Sequence, residues 1–305
     1  MSQLIAPPEE LVNAFEFEAV ARRKLDGATF AGIAGSDRKA FDRITFRPRM
    51  MVNSTGLDLS VELFGQTLFA PILVGPVSRQ NRFHPEGELA MARGAAAAKA
   101  TMIVASDSNH PVEKIASVAK TPFWLQVNPE PDINTVRGRI QEAAKLGCKA
   151  VCLSTGADWS AIDRLRHGLT VPLLLKGIMS AGEAATAVQR GVQGIIVSNY
   201  RGPADSGLAA PIEVLPFISE AVAGKVPILI DGSFRRGSDI LKALALGARA
   251  VLLGRPPVWG LAAYGAAGVQ QILQLLQTEL ARDMAMCGAP NLKALSRATV
   301  KIHRW

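Results

Sequence analysis

The sequence is poor in cysteine and has no long apolar run. Its three cysteines, Cys148, Cys152 and Cys287, are an odd number with no repeated metal-ligand spacing, which argues against a disulfide framework and against a metal site. We predict reduced thiols in the core of a cytoplasmic protein. No segment approaches the roughly 20 apolar residues of a membrane span, and MSQLIAPPEE lacks the pattern of a signal peptide, so we expect no membrane partner.

A stripe of basic residues interleaved with aromatic residues is also missing. The chain has 34 Lys and Arg residues against 26 Asp and Glu residues, a net charge of +8. This balance favours an anionic ligand. Because the basic residues form no stripe, we expect a small-molecule partner and no nucleic acid.

Short apolar segments alternate with helix-like segments along most of the chain. Strands buried on both faces of a parallel sheet have continuous apolar sequences. The candidate strands are residues 71–76, 102–106, 123–127, 150–154, 172–177, 194–199, 227–231 and 250–254. This pattern predicts an α/β fold, a (β/α)8 TIM barrel of about 250 residues. An open doubly wound sheet seldom needs so many units, and its glycine-rich fingerprint does not follow the first strand.

The remaining segments fit into the same single domain, which we predict to span residues 1–305. Residues 1–70 are expected to form an N-terminal helical cap, and residues 71–257 the barrel strands and loops. Residues 258–305 are expected to form a C-terminal helix and tail, with helical spacing over 260–286.

The loops after the seventh and eighth strands predict a phosphate site. The residues concerned are Asp231, Gly232, Ser233 and Arg235 in the first loop, and Gly254 and Arg255 in the second. Glycines let backbone N–H groups approach phosphate oxygens, and arginines supply charge and forked donors. These two loops hold phosphate in many TIM barrels.

Lys176 lies inside the apolar run PLLLKG at the end of the fifth strand. An unpaired charge there would be unfavourable, so we expect an anionic partner. Three roles remain open: stabilising negative charge on a reduced flavin, acting as a Schiff-base nucleophile, or pairing with a structural carboxylate.

Neutral polar residues end the other strands. They are Ser78, Ser106, Gln126, Ser154, Ser198 and Asn199. A ring of such hydrogen-bonding groups suits a heteroaromatic ligand.

Four segments carry a resemblance to a known family: FDRITFRPRM, HPEGELAMARGAAAA, LLKGIMSAGEAATAVQRGVQGIIVSN and DGSFRRGSDILKALALGARAVLLGRP. With them, nearly the whole chain resembles the FMN-dependent α-hydroxy-acid oxidases and dehydrogenases of the glycolate oxidase and lactate oxidase type. The resemblance implies FMN as cofactor and a homo-oligomer, a tetramer by analogy.

The resemblance also implies a role for individual residues. It places the flavin against Pro76, Val77 and Ser78, and the edge of the flavin ring at Ser106, Gln126 and Ser154. The N1 and O2 atoms of the ring would lie beside Lys176, and the ribityl chain or the ring near Ser198. The phosphate would bind to Asp231, Gly232, Ser233, Arg235, Gly254 and Arg255.

The substrate half of the family pattern is missing. Where the family has Ser-Asn-His-Gly-x-Arg after the sixth strand, this chain has Tyr200 and Pro203 at the positions of the histidine and the arginine. Asn128 stands in place of a tyrosine and Gly156 in place of an aspartate, and the long loop after the fourth strand is nearly absent. The resemblance therefore implies that the catalytic base and the carboxylate clamp are gone.

We accordingly expect an FMN-dependent oxidoreductase with an altered substrate pocket, whose substrate is not a simple 2-hydroxy acid. Asn128, Tyr200 and Arg201 are candidate substrate residues, and Tyr200 or His110 is a candidate replacement for the base. A catalytically weak flavin-binding protein, or a flavin-free lyase or isomerase using Lys176, is the alternative.

Overall fold

A computed structural model describes residues 5–49, 52, 55–156, 158–200 and 209–303. Its N-terminal part contains short helices and strands that cover one side of a barrel. In chain order they are α1 (Ala14–Lys24), α2 (Gly27–Ala31), α3 (Lys39–Asp42), β1 (Ile44–Phe46), β2 (Val61–Leu63) and β3 (Gln66–Leu68). The Asn13 side chain accepts hydrogen bonds from the Phe15 and Glu16 N–H groups, which fixes the start of α1.

Eight parallel strands form a closed barrel, in agreement with the predicted fold. The strands are β4 (Ile72–Val74), β5 (Thr101–Ala105), β6 (Phe123–Val127), β7 (Cys148–Ser154), β8 (Leu173–Ile178), β9 (Gly194–Val197), β10 (Ile228–Ile230) and β11 (Ala250–Leu253). β11 closes the barrel by pairing with β4, where Val251 lies opposite Ile72. Each candidate strand therefore corresponds to one strand of the barrel.

A helix follows every barrel strand. The helices are α4 (Gly87–Ala97), α5 (Val112–Ala119), α6 (Ile133–Lys145), α7 (Trp159–Arg166), α8 (Ala181–Gln189), α9 (Pro211–Val222), α10 (Gly237–Ala245) and α11 (Arg255–Met286). Side chains cap two of the helix starts, since Asp158 accepts from the Ala161 N–H and Ser180 from the Glu183 N–H. None of the helices in the described part of the chain has the length and apolar character of a bilayer span.

The last helix differs from its prediction. It begins at Arg255 and not at residue 260, because Pro256 fits the first turn of a helix, where no backbone N–H is needed. It is interrupted at Tyr264 and Gly265, and Gly265 has a φ of +60°. Lys24 of α1 donates to the carbonyl oxygen of Ala263 next to this break. The two parts of α11 pack closely against each other beside this break, where a Cβ atom on Gly260 or Gly268 would collide with the backbone of the other.

The hairpin of β2 and β3 closes the N-terminal end of the barrel. Its Phe64 ring lies 5.3 Å from the Trp124 ring inside the barrel. The Trp124 indole N–H donates to Gln66 Oε1 at 2.8 Å, and both residues are buried. The two ends of the chain meet elsewhere, where β1 pairs antiparallel with β12 (Val300–Ile302).

Replacing Gln66 with Leu is expected to lower the free energy of unfolding by about 1–3 kcal/mol, because the buried Trp124 N–H would lose its acceptor. Urea unfolding of the purified protein measures this effect. Thr67→Val in the same hairpin is the control: the exposed Thr67 side chain bonds to the exposed Glu62 side chain, so a change within about 0.5 kcal/mol is expected. Equal stability of the Gln66→Leu and parent proteins would contradict the prediction.

Candidate active site

The carboxyl ends of the parallel strands meet at one face of the barrel, which is where TIM barrels place their active sites. A cavity of about 230 Å³ opens there. Among the predicted site residues it is bordered by Val77, Tyr200, Asp231, Gly232, Ser233, Arg235, Gly254 and Arg255. The cavity also touches Gly32, Ile33 and Arg82, which the sequence analysis did not assign to a site.

Arg235 is the most enclosed charge at this cavity. Its side chain is 2% exposed, and its guanidinium lies 4.5 Å from the centroid of the buried Trp259 ring. Nη1 donates to the carbonyl oxygen of Phe234 at 2.8 Å, whereas Nη2 is buried and has no hydrogen-bond partner among the described residues. A buried donor of this kind favours an anionic ligand at the cavity.

The pKa values of the two arginines in the predicted phosphate loops also favour an anionic ligand. Burial, followed by the charge of nearby Arg255, lowers the pKa of Arg235 to about 9. Burial also lowers the pKa of Arg255. Two guanidinium groups thus share a site where solvent screens them poorly, and an anion bound between them would offset the unfavourable burial of their charge.

A segment of the N-terminal cap forms a third side of this site. We call residues 33–38 the strap. Arg255 donates from Nη1 to the Ala34 carbonyl oxygen at 2.9 Å and from Nη2 to Ser36 Oγ at 2.8 Å. Ser36 Oγ lies 2.7 Å from Ser233 Oγ. Trp259 Nε1 donates to the Ile33 carbonyl oxygen at 2.8 Å.

Arg38 connects the end of the strap to the loop after β10. Its Nε donates to the Ser233 carbonyl oxygen at 3.2 Å, and its Nη2 bonds both carboxylate oxygens of Asp239 at 2.6 and 2.8 Å. The sequence does not indicate that the strap contacts this loop, because 195 residues separate Arg38 from Ser233 and no local pattern predicts a contact over that distance.

Lys176 has the anionic partner that its burial predicts. Its side-chain nitrogen lies 2.8 Å from Asp231 Oδ2 and donates to Ser198 Oγ at 2.8 Å. The centroid of the Tyr200 ring is 4.2 Å from the same nitrogen. Lys176 therefore joins the ends of β8, β9 and β10 in one cluster.

The predicted neutral polar residues form a hydrogen-bonded network beside this cluster. Gln126 Nε2 donates to Ser154 Oγ at 3.0 Å and to Asn128 Oδ1 at 2.9 Å. Asn128 Nδ2 donates to Ser106 Oγ at 3.2 Å. Pro76 and Ser78 lie on either side of Val77 in the loop after β4, half-buried. The network offers amide and hydroxyl groups to a ligand and carries no charge.

Tyr200 lies at the mouth of the site and is 43% exposed. Its hydroxyl donates to the Thr155 carbonyl oxygen at 3.2 Å. A Cβ atom on Gly177, which has a φ of +111°, would lie 2.9 Å from Tyr200 Cε1 and would collide with the Thr155 side chain. Glycine at this position therefore permits the close approach of Tyr200 to the end of β8.

Two further candidate residues stay predictions. His110 lies in the loop after β5, where its Nε2 is enclosed and has no hydrogen-bond partner among the described residues. Arg201 lies outside the described residues.

The loop between β7 and α7 is short, as the sequence predicts, because β7 ends at Ser154 and α7 begins at Trp159. A family model described as FMN-dependent dehydrogenase matches the chain in two segments, residues 12–158 and 153–302, which overlap at this loop.

Known proteins resemble the chain over almost its whole length. Glycolate oxidase of Spinacia oleracea is 32% identical over 95% of this chain and 96% of that enzyme. L-lactate oxidase of a Nostoc species is 34% identical over 92% of this chain and 96% of that enzyme. A crystal structure of mandelate oxidase superposes with a TM-score of 0.90 at 32% identity, covering 95% of this chain and 98% of that one.

Proposed function

The chain belongs to the FMN-dependent dehydrogenase family, and we propose that within this family it oxidises an uncharged substrate in place of a simple 2-hydroxy acid. As a member of the family it is an FMN-dependent oxidoreductase. FMN, when bound, supplies a two-electron acceptor. The chain's own residues hold that group and select the substrate.

The residues at the 230 Å³ cavity fit an FMN phosphate. Arg235 has a buried N–H without a partner among the described residues. A Cβ atom added to Gly254 would meet no atom within 4 Å, so the backbone at the start of α11 is open to a ligand, and a helix start favours an anion. We propose that Gly232, Ser233, Arg235, Gly254 and Arg255 hold the phosphate, with Asp231 between them and Lys176.

The remaining predicted cofactor residues follow or end the other barrel strands, where we propose that the flavin ring lies. We propose that Pro76, Val77 and Ser78 line it, that Ser106, Gln126 and Ser154 bond its edge, and that Ser198 positions Lys176. Lys176 then stabilises negative charge that develops on the ring. Its contacts with Asp231 and Ser198 support this electrostatic role over a nucleophilic one.

The observation that carries the substrate proposal is the position of Tyr200. Its ring covers Lys176, and its hydroxyl donates a hydrogen bond to the Thr155 main chain, at the position where the family pattern has a histidine that accepts the substrate proton. A phenol engaged as a donor does not replace an imidazole base. We therefore propose that Tyr200 orients the substrate and Lys176 and does not remove a proton.

The polarity around Tyr200 supports an uncharged substrate. Gln126, Asn128, Ser106 and Ser154 bond to one another and include no cation. Lys176 is already paired with Asp231. A 2-hydroxy amide or ester matches such amide and hydroxyl partners better than a carboxylate, which requires a cationic clamp. The short loop after β7 leaves space for a bulky group.

We also propose a cytoplasmic homo-oligomer, a tetramer by analogy with the family. The three cysteines are buried free thiols, which agrees with a reducing compartment. Light scattering of the purified protein measures the oligomeric state.

An anaerobic screen of the FMN-loaded protein tests the substrate proposal. Glycolate, lactate and mandelate are mixed with the protein alongside their amides and methyl esters, and bleaching of the visible flavin absorption is followed. We expect at least one neutral compound to bleach the flavin and the acids to act at least about 100-fold more slowly, because an unclamped carboxylate lacks about 3 kcal/mol of binding.

Rapid bleaching by the acids would contradict the proposal. In that case an Arg82→Leu variant tests whether Arg82 binds the carboxylate, because Arg82 borders the same cavity as Tyr200 and is not one of the arginines proposed to hold the phosphate. If no compound bleaches the flavin while dithionite does, the protein binds flavin without oxidising this class of substrate. A borohydride-trapped adduct on Lys176 would indicate the lyase alternative.

A further inference from the structure

We propose that the strap, residues 33–38, is the part of the protein that makes the site specific for FMN over riboflavin, and that Arg38 is its positioning residue. Arg38 holds the loop after β10 in the conformation that binds the 5′-phosphate. This inference rests on FMN as the cofactor and is independent of the substrate.

The loop after β10 has an unfavourable backbone conformation. Ser233 has a φ of +60° and Gly232 a φ of +109°. The left-handed region is accessible to glycine but disfavoured for serine. Two contacts from the strap hold Ser233 in place: Arg38 donates to its carbonyl oxygen, and Ser36 bonds its hydroxyl. Without these two contacts, we expect the loop to leave this unfavourable conformation.

Asp239 connects Arg38 to the backbone of the two residues after Phe234. Its carboxylate is 1% exposed, and Oδ2 accepts from the backbone N–H groups of Arg235 at 2.9 Å and Arg236 at 3.0 Å. The side chain that pairs with it is Arg38, which bonds both oxygens. Arg38 thus fixes the carboxylate that fixes the backbone of Arg235.

Ser36 acts on the second phosphate loop. It accepts from Arg255 Nη2 at 2.8 Å, while Ala34 accepts from Nη1. These two bonds orient the Arg255 guanidinium. The strap therefore sets the direction of both proposed phosphate-binding arginines, one through Asp239 and one directly.

The contacts of the strap with the barrel loops are confined to the phosphate side. In the described part of the chain, its hydrogen bonds to the barrel involve Ser233 in the loop after β10, Asp239 in α10, and Arg255 and Trp259 in α11. Lys176 and Gln126 bond to other residues. Loss of the strap contacts should weaken the hold on the phosphate and leave the hold on the isoalloxazine ring unchanged.

Titration of the flavin-depleted full-length protein with FMN and, separately, with riboflavin tests the proposal by fluorescence quenching. In Arg38→Ala we expect the Kd for FMN to rise about 30-fold, as for the loss of one charge-assisted anchor. The Kd for riboflavin should stay within about 2-fold of the parent value, because riboflavin has no phosphate. Lys39→Ala is the control: it removes a neighbouring charge that is paired with exposed Asp37 in the described part of the chain and should leave both Kd values unchanged.

A second variant tests the backbone argument. Glycine adopts a φ of +60° without penalty, so in a Ser233→Gly background Arg38→Ala should raise the Kd for FMN less than in the parent, by under about 5-fold. If Arg38→Ala fails to fold, Arg38→Lys serves in its place, since lysine keeps the charge but cannot form the forked contact. Equal losses of FMN and riboflavin binding, or no loss of FMN binding, would overturn the proposal.

Discussion

Replacing Lys176 with Met is expected to lower the midpoint potential of the FMN-loaded protein by roughly 80 mV. Reduction places negative charge on the flavin, and the resemblance puts Lys176 beside the atoms that carry it. A unit charge about 4 Å from another is stabilised by about 4 kcal/mol at an effective dielectric of about 20. For a two-electron couple, about 30 mV corresponds to about 1.4 kcal/mol. Spectroelectrochemical titration measures the shift.

Asp231→Asn should shift the potential in the opposite direction. Asp231 lies 2.8 Å from the Lys176 nitrogen and balances its charge, so removal of the carboxylate leaves the ammonium free to stabilise the reduced state. Lys176→Arg keeps the positive charge and should change the potential by less than half as much as Lys176→Met. An unchanged potential in Lys176→Met, or shifts of the same sign in the Met and Asn variants, would remove Lys176 from the proposed role.

The barrel could be predicted from the sequence because its strands are buried on both faces. Each strand is a continuous apolar run, such as Leu173–Ile178 around Lys176, and the turns between runs contain helix caps such as Asp158 and Ser180. The sequence did not predict that the hairpin of β2 and β3 closes the N-terminal end of the barrel. Its contact with Trp124 joins distant parts of the chain and forms only when the barrel closes.

The residues of the candidate site could be predicted from the sequence, but most of their contacts with one another could not. Burial of Lys176 predicts an anionic partner, but only the topology identifies Asp231, which follows β10 while Lys176 lies on β8 with β9 between them. The strap and Trp259 gave no local signal, because their contacts with Arg235 and Arg255 join distant parts of the chain. His110 stays a prediction: it lies near Ser106 in sequence, and its enclosed Nε2 has no hydrogen-bond partner among the described residues.

Replacing Arg235 with Met is expected to raise the Kd for FMN by about 100-fold to 1,000-fold, since truncating one partner of a buried charge pair costs about 2–5 kcal/mol. Arg235 is almost fully buried at the proposed phosphate site and has a donor without a partner in the described structure. Titration of the flavin-depleted variant with FMN measures the loss, which should exceed that of Arg38→Ala because Arg235 is proposed to contact the phosphate itself.

The same substitution should not destabilise the flavin-depleted protein. The pKa of Arg235 is lowered to about 9 in the folded chain, chiefly by burial, so the folded state holds the proton less tightly than the unfolded state does. The charged side chain therefore opposes folding at neutral pH, and this unfavourable contribution decreases only as the pH rises through about 9. Met removes it. We expect the flavin-depleted variant to melt no lower than the parent and the FMN-saturated variant to melt lower.

Arg236→Met provides the matched control, with the opposite pattern. The Arg236 side chain bonds Glu279 at 2.9 and 3.0 Å, and this hydrogen bond raises the pKa of Arg236, so the charge favours folding. Its loss leaves the largely buried Glu279 carboxylate without its cation and should lower the melting temperature with and without FMN, while the Kd for FMN changes less than about 3-fold. If Arg235→Met instead lowered the stability of the flavin-depleted protein and kept its FMN affinity, Arg235 would be a structural residue and the phosphate would have to bind elsewhere.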